Sequence, residues 1–580
     1  MGLRQTLQIL GQAPDAKVKE RLCIGLLLTI VVFAYGNTLV NAFTMDDIRL
    51  YILHNSQGTH PSLKALFTPH KITNVLRPVT FSTFALDWKI GNGRPLGFHV
   101  VNIALHAAVT LLFYLLLQTA LQSLRHGKAV AFAAALLFAV HPIHTEAVAS
   151  IVGRAELLAA GFLIGAWLLH LHDREIAALV CFVLAVLSKE SAVVFLPLAL
   201  IGDYARGQWK PTFRYLRIAG ITVLYLSVFW KVQGGHFGGP ADISVLDNPL
   251  ASIPAAPRIF NALHVAWKYI GLQVYPATLS CDYSYNQIPV YDLRYGLRHT
   301  LPWAIAALAA LGGWIWAVRK RQNGVVLAGG IYLAGFATTA NILIPVGTIM
   351  GERLAYFPSA GFCLLVALAW NWLQERQRKL AVGVLAALVA VLGLRTVIRN
   401  RDWKDNLTLY TAAVRAVPGS AKMHQNLAFK YMEAKQLDLA RQELQTALQI
   451  NPAYTEALAT YGLLESWQGN YQAAGRMLER AFYMIGRDNP AYDTIAVNLT
   501  TLYMQTDHLD GALNLLNREI SESPGYAGGW ASRAVLRYKG GQIALARADA
   551  EMALRLDPDN WEARNLMQLL NTSNPSISSQ

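Results

Sequence analysis

Charged residues and cysteines are both scarce in this chain of 580 residues. Asp, Glu, Lys and Arg together make up 15% of it, hydrophobic residues make up 54%, and the mean hydropathy is +0.31. A soluble globular protein carries more charge than this, so the composition indicates a polytopic membrane protein. The four cysteines have no metal-ligand spacing, and they therefore predict neither a disulfide framework nor a zinc site.

Acidic residues are outnumbered, and the basic excess is confined to one part of the sequence. Residues 1–400 contain 33 Lys and Arg against 17 Asp and Glu, whereas residues 401–580 contain 17 against 19. The net charge of +14 therefore belongs to the apolar part of the chain. This location favours positive cytoplasmic loops and anionic lipid as the partner, and it argues against nucleic acid.

Eleven apolar runs predict about eleven transmembrane helices in a domain spanning residues 1–397. The runs lie at 22–42, 99–120, 129–148, 155–172, 175–188, 191–202, 217–231, 300–318, 325–344, 357–374 and 379–397. A spanning helix needs roughly 20 apolar residues. Two runs, 175–188 and 191–202, are shorter, so each must include flanking residues or begin inside the bundle.

The Lys and Arg residues of alternate short loops predict that those loops face the cytoplasm. The outer side then receives the loops 42–98 and 232–298, with interfacial helices, and every residue after 397. Arg395, Arg399 and Arg401 break the rule on the outer side. Either an ordinary amphipathic junction or a phosphate-bearing lipid would explain them.

A period of about 34 residues distinguishes the C-terminal part of the sequence. Five prolines recur there at intervals of 34, 38, 34 and 34 residues: Pro418, Pro452, Pro490, Pro524 and Pro558. The tetratricopeptide (TPR) repeat is a helical hairpin of about 34 residues. We predict a junction helix at 398–420, a solenoid of four repeats plus a closing helix at 421–571, and a disordered tail at 572–580. Such a solenoid usually offers a groove for peptide or protein, although a capping or dimerising role stays open.

Polar residues collect at the outer ends of the predicted helices, although they are scattered over about 300 residues of sequence. Ionisable residues near lipid are costly and tend to be functional or paired with one another. We therefore expect the helix ends to converge on one site. A boundary Glu or Arg can also be snorkelling or structural. The candidates are Asp46, Asp47, Arg77, His99, His141, His144, Glu146, Arg154, Glu156, Lys189, Glu190, Glu352, Arg353 and Tyr356.

Eight motifs follow one another over nearly the whole chain. They are "FTMDD", "RPVTFSTFALDW", "GFHVVNIALHA", "HPIHTEAVASIVGRAELLA", "LSKES", "PATLSCDYS", "GERLAYFPSAGFC" and "WKDNLTLYTAAVRAVPGSAKMHQNLA". In this order the motifs resemble the transmembrane-and-TPR-containing protein O-mannosyltransferases and their bacterial relatives. The resemblance implies the GT-C fold and a sugar donor on a polyprenyl-phosphate carrier. Since the animal members mostly have longer repeat arrays, it also implies a bacterial inner-membrane enzyme whose active site and repeats are periplasmic.

The resemblance implies a catalytic carboxylate in the first outer loop, where this sequence has Asp46 and Asp47. A Ser or Thr hydroxyl attacks an anomeric carbon efficiently only when a base takes its proton. A second carboxylate beside the base can raise its proton affinity or hold hydroxyl groups. We favour Asp46 as the base, and a divalent metal held by the pair is the alternative. Otherwise no cofactor is required.

Cations must stabilise the lipid phosphate as it leaves. We assign this role to Arg353 and Lys189, with Arg154 third, because Arg binds two phosphate oxygens at once and Lys is a compact charge. Glu190 and Glu352 would orient these cations or bind sugar hydroxyls. The H-x-x-H spacing of His141 and His144 resembles part of a zinc site but lacks a third ligand. We group them with the other candidate substrate-binding residues, Arg77, His99, Glu146, Glu156 and Tyr356.

The sequence thus predicts an inverting glycosyltransferase. It would move a sugar, mannose by resemblance, from a polyprenyl phosphate to Ser or Thr hydroxyls of exported proteins held by the repeats. Two alternatives are a GT-C enzyme that modifies a lipid or glycan, and a non-catalytic membrane scaffold with a TPR recruitment module. A scaffold or exporter would place polar residues along a path through the bilayer, whereas here the acidic residues gather on the outer side.

Overall fold

The computed structural model describes residues 16–47, 63–68, 76–235, 243–486, 489 and 491–572. Within these ranges the regular elements are all α-helices or short 3-10 helices, which confirms the predicted all-α fold class. The chain divides into two compact units, Met1–Ser420 and Ala421–Gln580. The tail predicted at 572–580 lies outside the described residues after Thr572.

The first unit contains sixteen α-helices among its described residues. They are α1 (Ala16–Tyr35), α2 (Leu63–Leu66), α3 (Pro78–Gly91), α4 (Pro95–Ala120), α5 (Gly127–Val140), α6 (Thr145–Ala149), α7 (Arg154–Leu171), α8 (Glu175–Ser188), α9 (Phe195–Arg206), α10 (Thr212–Val232), α11 (Ala255–Val274), α12 (Leu293–Arg319), α13 (Asn323–Ala337), α14 (Pro358–Arg376), α15 (Arg378–Asp402) and α16 (Asn406–Ala416). Six short 3-10 helices lie between them: Gly36–Val40, Pro142–His144, Ile151–Gly153, Glu190–Val194, Pro249–Ser252 and Glu352–Ala355.

Six helices in the described part of the chain are long and apolar enough to cross a membrane. They lie at Lys17–Val40, Pro95–Ala120, Ile151–Leu171, Thr212–Val232, Gly296–Arg319 and Arg378–Asp402. The bent pair Gly127–Val140 and Pro142–Ala149, with 52° between its halves, would make a seventh if it is one span. The structure therefore supports fewer spans than the eleven predicted from the apolar runs.

The difference arises because apolar runs report burial in the bundle as well as contact with lipid. Helix α8 has 14 residues and α9 has 12. At 1.5 Å per residue each reaches only about 20 Å, which is less than the roughly 30 Å of a hydrocarbon core. Phe195 and Leu198 of α9 are fully buried. Such a segment is apolar because protein surrounds it.

The second unit consists of paired helices. These are α17 (Ala421–Glu433) with α18 (Leu437–Ile450), α19 (Thr455–Trp467) with α20 (Tyr471–Met484), α21 (Tyr492–Gln505) with α22 (Leu509–Glu522), and α23 (Ala527–Lys539) with α24 (Ile543–Leu556), followed by α25 (Trp561–Thr572). Ala440, Ala474, Ala512 and Ala546 occupy matching places in the second helices, and each is fully buried. A methyl side chain there lets the paired helices pack closely, and the prediction of TPR hairpins is confirmed.

Candidate functional site

The segment from His141 to Glu156 carries five of the candidate residues and folds back on itself between α5 and α7. It comprises a 3-10 turn, the short helix α6 and a second 3-10 turn. Gly153 is required there, because a Cβ atom at this position would lie 2.3 Å from the carbonyl oxygen of Ala147. This tight fold buries Glu146 and Glu156 and places both beside residues from distant parts of the chain.

Arg353 is held from one side by Glu146. Its backbone N–H donates to Glu146 Oε2 at 2.8 Å, and its guanidinium forms an ion pair with the same carboxylate. Glu146 is almost completely buried, whereas the Arg353 side chain is 33% exposed. The carboxylate of Glu146 raises the pKa of Arg353 above its usual range, and Asp46 adds to this effect. Arg353 is therefore a fixed cation, within electrostatic range of Asp46, and part of its side chain is exposed.

The neighbouring acids Asp46 and Asp47 have different environments. Asp47 is fully buried, and its two carboxylate oxygens accept the backbone N–H groups of Thr44 at 3.0 Å and Val152 at 2.9 Å. Burial raises the pKa of Asp47 to about 7, against the effect of these hydrogen bonds. Asp46 is only partly buried. The geometry thus indicates a structural role for Asp47 and leaves Asp46 as the more accessible acid.

Two further ion pairs connect the segment 187–191 to the site. The buried Lys189 pairs with Glu156, while Arg77 binds both carboxylate oxygens of Glu190, at 2.7 and 3.1 Å. Burial lowers the pKa of Lys189, and Glu156 opposes that shift. Burial would raise the pKa of Glu190, but Arg77 and Lys189 together lower it to about 2. The predicted pairing of cations and acids in this segment is thus present, although Glu190 pairs with Arg77 and Lys189 pairs with Glu156.

A small open cavity with a volume of about 20 Å³ lies next to these pairs. Its lining includes Glu156, Ser191, Thr339 and Leu354, the last of which adjoins Arg353. Glu156 also contributes to the raised pKa of Arg353, so the two ion pairs lie within electrostatic range of each other. We call Asp46, Glu146, Glu156, Lys189 and Arg353 the cavity cluster. Glu156 lines the cavity itself, and the other four are linked to it by the ion pairs and electrostatic interactions described above.

Arg154 belongs to a different set of charges. It is fully buried, forms an ion pair with Asp87 at 2.6 Å and donates to Asn102 Oδ1 at 2.8 Å and to the carbonyl oxygen of Phe98 at 2.9 Å. Its guanidinium also lies 4.9 Å from the centre of the Phe84 ring. We call Asp47, Asp87, Asn102 and Arg154 the buried network. The donors of Arg154 thus have partners inside the protein, and its assignment as a phosphate ligand stays a prediction.

The candidate histidines and Tyr356 are buried as well. His141 Nε2 donates to the carbonyl oxygen of Gln273 at 3.0 Å, and its Nδ1 accepts the N–H of Ile143. His144 Nε2 lies 2.6 Å from Ser359 Oγ, and the Tyr356 hydroxyl lies 2.7 Å from a ring nitrogen of His106. His99 is fully buried too. These side chains pack inside the bundle, and their assignment to substrate binding stays a prediction.

Glu352 lies in the same 3-10 helix as Arg353 and has its own set of hydrogen-bond partners. Its Oε1 accepts the N–H of Ser280 at 2.6 Å and the Tyr283 hydroxyl at 2.7 Å, and its Oε2 lies 3.9 Å from Arg399 Nη2. Burial raises the pKa of Glu352 to about 7. These contacts anchor the loop that carries Arg353, and the assignment of Glu352 to orienting Arg353 or binding sugar hydroxyls stays a prediction.

The outer arginines of α15 also have protein partners. Arg395 donates to the carbonyl oxygens of Pro276 and Ala277, at 3.1 and 2.9 Å, and Arg399 pairs with Asp402 and approaches Glu352. The contacts of Arg395 and Arg399 join α15 to the 276–283 loop and to the 351–356 loop. Within the described ranges, no group of three or more His, Cys, Asp or Glu side chains is arranged to hold a metal ion.

Sequence reasoning missed Asp87, Asn102 as the partner of Arg154, and Arg399 as the partner of Glu352. Asp87 stands in the motif "RPVTFSTFALDW", and a charged residue inside an otherwise apolar helix is the signal that it needs a buried partner. Nothing in the sequence says which of several cations that partner is.

Comparison with known proteins places the chain near one group. No protein-family profile matches it. A protein O-mannosyl-transferase of Caenorhabditis elegans, F38B6.6, is 32% identical over 448 aligned positions, which cover 74% of this chain and 63% of that protein. The protein O-mannosyl-transferase TMTC3 of Mus musculus is 28% identical over 611 positions, which cover 95% and 65%. The chain thus spans less than two thirds of the length of these relatives.

Among solved structures, the repeat protein YrrB, described as a TPR protein with an unusual peptide-binding site, aligns with a TM-score of 0.24 and 17% identity. That alignment covers 29% of this chain and 85% of YrrB. The sequence comparison is the more extensive of the two. Over nearly its whole length, the chain is similar to proteins named as protein O-mannosyl-transferases.

Proposed function

We propose that this protein is an inverting glycosyltransferase that moves a sugar, mannose, from a polyprenyl phosphate to Ser or Thr hydroxyls of proteins. The relatives named above support the reaction class. One structural observation carries the proposal for the site. Arg353, fixed by Glu146 and partly exposed, lies within electrostatic range of Asp46. A base for the acceptor and a cation for the donor phosphate would therefore act on one sugar.

In the proposed reaction Asp46 takes the proton of the acceptor hydroxyl while the hydroxyl oxygen forms a bond to the anomeric carbon of the sugar. The bond from that carbon to the phosphate oxygen breaks, and its electron pair leaves with the phosphate. Arg353 and Lys189 stabilise the departing charge. Because the hydroxyl attacks opposite the leaving group in a single displacement, the configuration at the anomeric carbon inverts. Neither a metal ion nor a covalent intermediate takes part.

An apolar groove between α8 and α10 supports a lipid-linked donor. It has a volume of about 190 Å³, and its lining consists of Leu76, Val183, Val186, Leu187, Ile221, Leu224, Tyr225, Val228 and Phe229. Leu76 adjoins Arg77, and Leu187 is two residues from Lys189. A prenyl chain lying in this groove would bring its phosphate to the cationic end.

The TPR hairpins of the second unit support a protein acceptor, and the charge of the predicted loops supports a compartment for the reaction. Stacked TPR hairpins present a groove suited to an extended polypeptide, so we propose that the second unit holds the protein acceptor. The positive loops predicted on one side of the membrane support a position of the cavity cluster on the opposite, non-cytoplasmic side. In a bacterium that side is the periplasmic face of the inner membrane.

The proposal is tested with purified full-length protein in detergent, polyprenyl-phosphate mannose and a secreted polypeptide. We expect the intact mass of the polypeptide to rise by one hexose per modified hydroxyl. A polypeptide whose Ser and Thr are replaced by Ala is the matched control and should gain nothing. Equal transfer from a sugar nucleotide, or no transfer from the lipid donor, would refute the proposal. Loss of transfer on adding a chelator would instead support the metal-bound alternative.

A further inference from the structure

The backbone immediately before Asp46 has an unusual conformation. Met45 has a φ of 48°, in the left-handed region that residues with a side chain rarely adopt. Because Cβ crowds the carbonyl oxygen there, this conformation is unfavourable unless other contacts hold it. The turn at Met45 determines the direction in which the next residue, Asp46, leaves the backbone.

A segment far along the chain supplies those contacts. Asn406 Oδ1 accepts the N–H of Met45 at 2.8 Å, although the two residues are 361 positions apart. The N–H of Ala42 donates to the carbonyl oxygen of Lys404 at 2.8 Å. Asn41 Nδ2 donates to the carbonyl oxygen of Asn400 at 3.2 Å. Residues 400–406 thus bind the loop at three points, and the motif "WKDN" supplies two of them.

Asn406 is itself fixed in place. It is the first residue of α16, and Asp405 caps that helix by accepting the N–H and the hydroxyl of Thr408, both at 2.8 Å. On the preceding turn, Asn400 Nδ2 donates to the carbonyl oxygen of Ala34 and to Asn37 Oδ1, each at 2.8 Å. The acceptor atom that meets Met45 therefore belongs to a rigid element.

The same segment also touches the loop that carries Arg353. Arg399, one residue before Asn400, approaches Glu352, which adjoins Arg353. The end of α15 and the start of α16 thus contact both loops whose side chains meet at the cavity cluster.

We propose that Asn406 is a positioning residue that holds Met45 in its left-handed conformation and so directs the Asp46 carboxylate toward Arg353. This inference rests on the proposed function, in which Asp46 is the base. Asn406 touches no reacting atom. Its effect passes through one hydrogen bond and one backbone turn, and it predicts a loss of kcat with little change in the KM for donor.

The kinetic test compares three variants with the wild type in the lipid-donor assay. Asn406→Ala removes the acceptor oxygen, and we expect kcat to fall about 10- to 100-fold, as for other small displacements of a catalytic group. Asn406→Asp keeps an acceptor oxygen and should restore most of the activity. Thr411→Ala is the control, because this exposed hydroxyl of α16 bonds only to its own helix, at Leu407, and should leave kcat unchanged.

A second-site variant separates positioning from a general loss of folding. Asn adopts the left-handed region more readily than Met, so adding Met45→Asn to Asn406→Ala should recover part of the lost kcat. Unchanged kcat in Asn406→Ala would overturn the inference. So would a loss confined to KM, or a loss that neither Asn406→Asp nor Met45→Asn relieves while thermal stability stays at the wild-type value.

Hydrogen exchange tests the contact without any activity. In the wild type the amide of Met45 should be protected, and Asn406→Ala should speed its exchange while Asn406→Asp should not. Exchange unaffected by Asn406→Ala would refute the contact. If the wild type transfers no sugar, the proposed function fails, but this measurement still decides whether Asn406 holds Met45. If the wild type transfers sugar, but neither kcat nor the exchange of the Met45 amide changes in Asn406→Ala, only the positioning role is refuted.

Discussion

The cavity cluster and the buried network contain the same kinds of residue and even share adjacent positions of the chain, Asp46 and Asp47. They differ in how many partners each charge already has. Arg154 has an acid, an amide and a carbonyl group around it and is fully buried. Arg353 has one carboxylate partner and remains 33% exposed. A charged side chain is therefore available for chemistry when its protein partners leave some of its hydrogen-bonding groups exposed.

The two sets should therefore respond to substitution in opposite ways. A variant in the buried network should lower the free energy of unfolding and leave the specific activity of folded protein intact. A variant in the cavity cluster should lower the activity and leave stability nearly intact.

Arg154→Met should have the largest effect on stability. It leaves Asp87 buried without its cation, and breaking a buried ion pair in this way costs about 3–5 kcal/mol. That is a large share of the roughly 5–15 kcal/mol by which proteins are stable. We expect a strongly reduced melting temperature in detergent, measured by intrinsic fluorescence. The double variant Arg154→Met with Asp87→Leu is the control and should recover much of the loss, since it removes the unpaired charge.

Arg353→Gln should have the largest effect on rate among the cations. Losing one preorganised group that stabilises a developing anion typically costs about 10²- to 10³-fold in kcat. The melting temperature should fall less than in Arg154→Met, because the backbone N–H of residue 353 still donates to the buried Glu146 carboxylate and the Gln amide can donate to it as well. If Arg353→Gln has a much lower melting temperature but an unchanged kcat, Arg353 has a structural role like that of Arg154.

The stability contributed by Asp47 should depend on pH. Burial raises the pKa of Asp47 from 3.8 to about 7, so the folded state prefers the protonated form. The stabilisation is fully present below the unfolded pKa near 4 and is lost as pH rises through 7. The Asn side chain of Asp47→Asn is neutral at every pH. The melting temperature of this variant minus that of the wild type should therefore increase between pH 5 and pH 8. A constant or shrinking difference over this range would contradict the assignment.

Arg77→Gln should have the smallest effect on stability. The side chains of the pair that it forms with Glu190 are 14% and 34% exposed, so solvent screens part of the attraction. Pairs of this kind contribute about 0–1 kcal/mol. We expect a shift in melting temperature near the limit of measurement. A large shift would show that this pair behaves like the buried network.

The sequence predicts the two units unequally well. In the repeats, local spacing reports tertiary contact, so Ala440 and Ala474 can be assigned to a tight helix contact from the period alone. The meeting of Glu146 with Arg353 could be expected, because helix ends converge on one membrane surface. The pairing of Arg154 with Asn102 across 52 residues, or of Met45 with Asn406 across 361, leaves no local pattern.

Apolar runs were also ambiguous, since a buried half-length helix such as α9 has the same composition as a spanning one. Charge and hydropathy identify which surface a residue approaches. They do not identify which protein group a residue contacts there. Asp46 and Asp47 differ in these contacts and not in charge or hydropathy.

The most direct test compares Asp46→Asn with Asp47→Asn in one preparation, measuring kcat for hexose transfer and the melting temperature of each. The account predicts that Asp46→Asn loses about 10²- to 10⁴-fold in kcat, as expected for a general base, and keeps the wild-type melting temperature. Asp47→Asn should keep a kcat close to wild type and change only the stability and its pH dependence. The opposite result, with activity lost at Asp47 and kept at Asp46, would contradict the account.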